Sequence, residues 1–172
     1  MLKFSNDIVE ISELPMFEDI ELKPLQKKFF KVVLFNLALI FIVLIIAFSL
    51  VIYFKENIFS NRIWMIIGGI IPVLFCLILY LLNLSFHKKG YAFRTHDAIY
   101  KSGLISESTT VVPFNRVQHV ALHQGFIERY LGLASIELFT AGGSSSDLEI
   151  PGLLLEEAQQ IKNMVSQKIN PP

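Results

Sequence analysis

Two uninterrupted apolar runs, 32–54 and 63–84, stand only eight residues apart and hold no charged side chain. As helices of 23 and 22 residues, rising about 1.5 Å per residue, they reach roughly 33–35 Å, enough to cross a hydrocarbon layer of about 30 Å with modest tilt. A soluble core helix of this length shows a polar face, whereas 32–54 offers only Asn36 and Ser49 among aliphatic and aromatic neighbours. A cleaved signal sequence fits no better, because the first run follows a segment that includes Asp7, Glu10, Glu13, Glu18, Asp19 and Glu21. The pattern predicts a transmembrane hairpin kept in the mature protein.

Positive charge beside the spans predicts their direction. Lys23, Lys27, Lys28 and Lys31 precede the first span and Lys88, Lys89 and Arg94 follow the second, against Lys55 and Arg62 between them. Positively charged flanks stay on the cytoplasmic side, so both termini are expected there. The whole chain has 15 basic and 15 acidic residues, which gives no electrostatic footprint for nucleic acid. Cys76, the one cysteine, lies inside the second span, so neither an internal disulfide nor a cysteine-based metal site is available.

Three segments follow: an N-terminal cytoplasmic flank at 1–31, the hairpin at 32–84, and a mainly-β domain at 86–170. In the flank, lysines alternate with Leu22, Leu25, Phe29 and Phe30. The reading is an interfacial anchor, with Lys27, Lys28 and Lys31 on one side of the hairpin and Lys88 and Lys89 on the other. Short strands are predicted at 91–95, 98–101, 107–113, 116–123, 135–140 and 148–150, broken at Gly103, Gly125, Gly132 and the pair Gly142-Gly143. One or two helical turns interrupt them at 126–131. After Pro151-Gly152 the period changes: Leu154, Ala158, Ile161, Val165 and Ile169 fall on one helical face, which predicts a terminal amphipathic helix covering a sheet. Strands do not alternate with long helices, which excludes a doubly wound nucleotide fold.

Inside the spans, Pro72 removes the helical partner of the Gly68 carbonyl, so a kink is expected at Gly68 and Pro72. Asn36 and Asn83 fall at similar depth in an antiparallel hairpin and are candidates for an interhelical hydrogen bond. Neither span carries an acidic or basic residue to move a proton or an ion, which leaves a transport or pore subunit as the least favoured role.

The ordered segments 110–120 (TVVPFNRVQHV), 124–134 (QGFIERYLGLA), Thr140-Ala141-Gly142-Gly143 and Ile150-Pro151-Gly152 closely resemble the membrane-anchored bacterial pleckstrin-homology-like (PH-like) family. The resemblance runs from about Leu22 to the terminal helix. It implies a PH-like fold, two roughly orthogonal antiparallel sheets capped by a C-terminal α-helix, attached to the two-helix hairpin. It also implies a bacterial cell membrane and, as a frequent neighbour, a larger membrane protein with several copies of the domain.

Chemistry-bearing residues are sparse. Arg116, Gln118 and Arg129 are the candidates for a partner or ligand surface, against the simpler reading that they satisfy backbone carbonyls at a bend. His119 and His123 share a strand face, but no further ligand of suitable spacing accompanies them, so no metal or cofactor is expected. The Thr140–Gly143 stretch lacks the lysine and the strand-to-helix setting of a phosphate loop. Ser144, Ser145 and Ser146 form a polar loop without the surroundings of a nucleophile, and no catalytic group is assigned. The expectation is a non-catalytic scaffold at the inner face of the membrane. It touches the bilayer and a membrane protein partner, with a homo-oligomer open and no nucleic acid. The alternative is a sensor of anionic lipid head groups.

Overall fold

The computed structural model describes residues 20–54, 61–141 and 146–169. Expectations for 1–19, most of the inter-span loop, Gly142, Gly143, Ser144 and Ser145 lie outside them. Among the described residues, strand β1 (Lys23–Pro24) precedes helices α1 (Phe29–Phe54) and α2 (Asn61–His87). Strands β2 (Gly90–Phe93), β3 (Asp97–Ser102) and β4 (Ser108–Pro113) follow. A 3-10 turn at Phe114–Arg116 leads into β5 (Val117–His123), then α3 (Phe126–Leu131), β6 (Leu133–Thr140), β7 (Leu148–Leu154) and α4 (Leu155–Ile169).

Both spans of the apolar hairpin form as single helices long and apolar enough to cross a membrane. Almost nothing in the protein covers them, which separates them from soluble core helices and leaves lipid as their solvent. Helix α2 runs through Pro72, and Gly68 and Pro72 border an apolar gap of about 450 Å³ facing Ala38, Phe41 and Ile45 of α1. Nearer the domain the helices touch through Phe41 and Phe75, whose ring centroids are 4.7 Å apart, edge to face.

The domain is two antiparallel sheets, in the orders β1-β2-β3-β4 and β5-β6-β7, closed by α4. This is the PH-like arrangement that the sequence predicts. Ala98, Val112, Ile136, Leu138, Ile150 and Leu153 form the shared core, and α4 seals it with Ala158, Ile161 and Val165. Leu154, predicted on the helix face, instead ends β7 and is partly exposed.

All six predicted strands are present with shifted ends. The largest shift is β7, which continues through the expected break at Pro151-Gly152. It is the edge strand of its sheet, so a missing N–H at Pro151 is tolerated, and the register shift at Ala134/Ile136 gives Gly152 room for its φ of +69°.

The seventh strand was not predicted. Lys23 and Pro24 pair with Tyr91 and Gly90, Leu25 enters the core at 4% exposure, and the Gln26 N–H donates to the Gly152 carbonyl. Phe29 packs against the same core. The segment read as an interfacial flank thus supplies an edge strand and core side chains, because burying Leu25 in protein is worth about 2 kcal/mol. The strands of one sheet therefore bracket the hairpin, and residues 20–28 lie on the same side of it as the domain.

Candidate functional site

Helix α3 stands beside the first turns of α1. Gly125 precedes it with an extended backbone and Gly132 ends it at φ 69° in the left-handed region, so it closes after six residues. Its two adjacent charged residues go opposite ways. Glu128 turns inward to 8% exposure, where its carboxylate accepts the Gly125 N–H at 2.8 Å and the Ser135 hydroxyl at 3.1 Å, half of a capping box plus a strand contact. Arg129 turns outward, and its guanidinium makes no hydrogen bond or ion pair among the described residues. Phe126 and Tyr130, four residues apart on the same helix, are 88% and 87% exposed.

Phe126, Ile127 and Glu128 border a recess of about 430 Å³ whose far wall is Val32, Val33, Phe35 and Asn36 of α1. These wall residues follow Lys31, the last charge before the span, so α3 lies level with the beginning of the apolar run. The sequence reading missed Phe126 and Tyr130. Their spacing of four was available, but alone it equally describes a buried helix face.

The structure does not gather the sequence candidates into one site. Arg116 ends the 3-10 turn, and Gln118 is the extra residue of a bulge between Val117 and His119. Both are exposed and their side chains make no hydrogen bond among the described residues, so they do not satisfy the backbone of the bend. Arg116 precedes β5 and Gln118 lies near its start, whereas Arg129 follows its far end, so most of a strand about 20 Å long at 3.3 Å per residue separates them from Arg129. His119 stacks on Phe139 with ring centroids 4.2 Å apart, and His123 Nε2 lies 3.8 Å from Glu137. No three metal-ligating side chains converge among the described residues. Asn36 and Asn83 border different recesses and no hydrogen bond joins them there.

The lysines fare differently from one another. Lys88 donates to the Leu104 carbonyl and to Glu107 at 3.0 Å, and Lys101 reaches the same carboxylate at 2.9 Å, which holds Glu107 below the usual carboxylate range. Lys23 donates to Glu157 at 2.6 Å, and that carboxylate also accepts the Tyr91 hydroxyl at 3.0 Å. Burial, then the bond to Glu157, pushes the Tyr91 phenol well above its ordinary value, and burial with the Glu149 charge pushes Tyr100 up to about 12. Lys27, Lys28 and Lys31 are exposed without an ion pair among the described residues, and Lys89 is half-buried likewise.

A model of the bacterial PH domain matches residues 19–169, from just ahead of β1 to the end of α4. The UPF0699 transmembrane protein YdbS of Bacillus subtilis (strain 168) is 32% identical over 77 residues, which are 45% of this chain and 46% of that protein. The similarity therefore spans less than half the length of the curated relative. No solved structure matches. With a match that takes in both sheets, the closing helix and the hairpin between β1 and β2, this chain belongs to the bacterial PH domain family.

Proposed function

We propose that this protein is a non-catalytic binding module at the inner face of the bacterial membrane, whose hairpin holds the PH-like domain beside a second membrane protein. The observation that carries the reading is α3. Two almost fully exposed aromatic rings flank an arginine without a partner among the described residues, next to the base of a membrane helix. Tyr, Phe and Arg in one patch have the composition of an interface anchor, and their level selects a partner embedded in the same bilayer. That partner offers an apolar groove with a carboxylate facing Arg129. A larger relative with several copies of the domain suits this role.

Confinement to a shared membrane raises effective concentration, so a weak contact suffices. The lysine bias beside the spans supports a cytoplasmic position for the domain and both flanks. Membership of the bacterial PH domain family favours the non-catalytic role.

The test is affinity capture of the full chain from native membranes. A partner at fixed stoichiometry is expected. Phe126→Ser with Tyr130→Ser should cut its yield about tenfold or more, since losing an aromatic anchor costs on the order of 2 kcal/mol. Arg129→Ala should give a smaller loss. Wild-type capture that returns no stoichiometric protein, or a double variant that captures as well as wild type, sinks the proposal. In the first case, quenching of a Trp at position 126 by brominated lipid would put α3 in the bilayer instead.

A further inference from the structure

On another side of α1 from α3, residues 23–28, Phe30 and the end of α2 border a recess of about 720 Å³, open to the surroundings. We propose that it is a binding site for the phosphodiester head group of an anionic phospholipid.

Lys23, Lys27, Lys28 and His87 border it, and among the described residues no acidic side chain does. Lys23 is engaged by Glu157, whereas Lys27 and Lys28 have no ion pair among the described residues. Two cations are thus left for a ligand anion. The backbone that carries them is structured. Strand β1 pairs with β2, Leu25 is buried, the Gln26 N–H is held by Gly152, and the Lys27 and Lys28 carbonyls accept the Phe30 and Lys31 N–H groups. A lysine on such a turn keeps its direction, unlike one on a free flank, and less entropy is lost when an anion binds.

Depth supplies the remaining argument. Phe30 and Phe86, with ring centroids 5.3 Å apart, form an apolar wall where both membrane helices meet the domain. Asn83, at the domain end of the second apolar span, borders the recess one turn before Phe86 and His87. A ligand there meets lysines at one end and hydrocarbon at the other, the two-part chemistry of a phospholipid. A free phosphate uses the lysines but leaves the phenylalanine wall unfilled. The sequence places these lysines near the membrane, and it takes β1 and the end of α2 to bring two of them to one recess.

The site is independent of the α3 reading, and its test reads lipid rather than protein. The full chain is extracted from membranes containing phosphatidylglycerol and phosphatidylethanolamine, and retained lipid is counted by native mass spectrometry. Phosphatidylglycerol should be enriched on the wild-type protein. Lys27→Gln with Lys28→Gln should lower its retention about tenfold, in keeping with the attraction of each lysine at a membrane surface. Lys31→Gln with Lys89→Gln removes the same charge from flanking positions outside the recess and should retain it. Equal loss in both double variants would overturn the proposal, because general flank charge would then account for binding. So would absence of enrichment in wild type, or saturable binding of inorganic phosphate to the lipid-free protein that depends on Lys27 and Lys28.

Discussion

At Gly152, strand β7 and the first membrane helix come into direct contact. A Cβ there would stand 2.5 Å from Cγ and 2.6 Å from Cβ of Phe29, and the backbone holds φ at +69°. Gly90 makes a similar allowance for Leu22, whose Cβ would be 2.9 Å away. Gly132 has the same φ as Gly152, with nothing within 4 Å of the missing Cβ. The pair therefore separates backbone strain from collision. Gly132→Ala is expected to cost about 1–2 kcal/mol, the strain of a left-handed alanine. Gly152→Ala should cost at least about 1 kcal/mol more, because Phe29 must leave its place on the core. Thermal unfolding of the full chain in one detergent gives both numbers, and equal melting temperatures would show that Phe29 does not press on Gly152.

Among the elements, the β3–β4 hairpin is tied to the end of α2 by electrostatics. Glu107 accepts from both Lys88 and Lys101, and its carboxyl titrates below the ordinary range because of those bonds. A carboxyl lowered on folding adds stability above its unfolded value, and that contribution is lost as pH falls through the folded value. Amide exchange at 103–107 should therefore speed up relative to the core as pH is lowered from about 5 to about 3, after correction for intrinsic rates. Glu107→Gln should remove that dependence. A hairpin tip whose corrected exchange ignores both changes would show that the lysines do not hold it. The neighbouring strands were legible because alternation and turn glycines mark them, and α4 because its apolar residues recur at helical spacing. Strand β1 was not, since two residues carry no period and Leu25 and Phe29 look alike whether they face lipid or a core. The inward turn of Glu128 was partly written in its distance of three from Gly125. That α3 meets α1 was not, because nothing local records which helix passes alongside.

For the whole molecule, the hairpin is an excursion out of one sheet. A fragment beginning at Phe86 lacks β1, Leu25 and Phe29, which removes an edge strand and two core side chains. It should be less stable by roughly 3 kcal/mol, at about 1.5–3 kcal/mol per buried apolar side chain. Joining residues 20–29 to that fragment by a flexible linker should restore much of the loss. Denaturant midpoints at equal slope compare the two, and coincident midpoints would show β1 to be dispensable. The same arrangement orders events during synthesis. The chain makes β1 first, then both membrane helices, and only afterwards Gly90 and Tyr91, the residues that β1 pairs with. The sheet thus gains its outer edge only on a molecule whose two helices have returned the chain to the side it left, and a finished domain is itself a record that the membrane was crossed an even number of times.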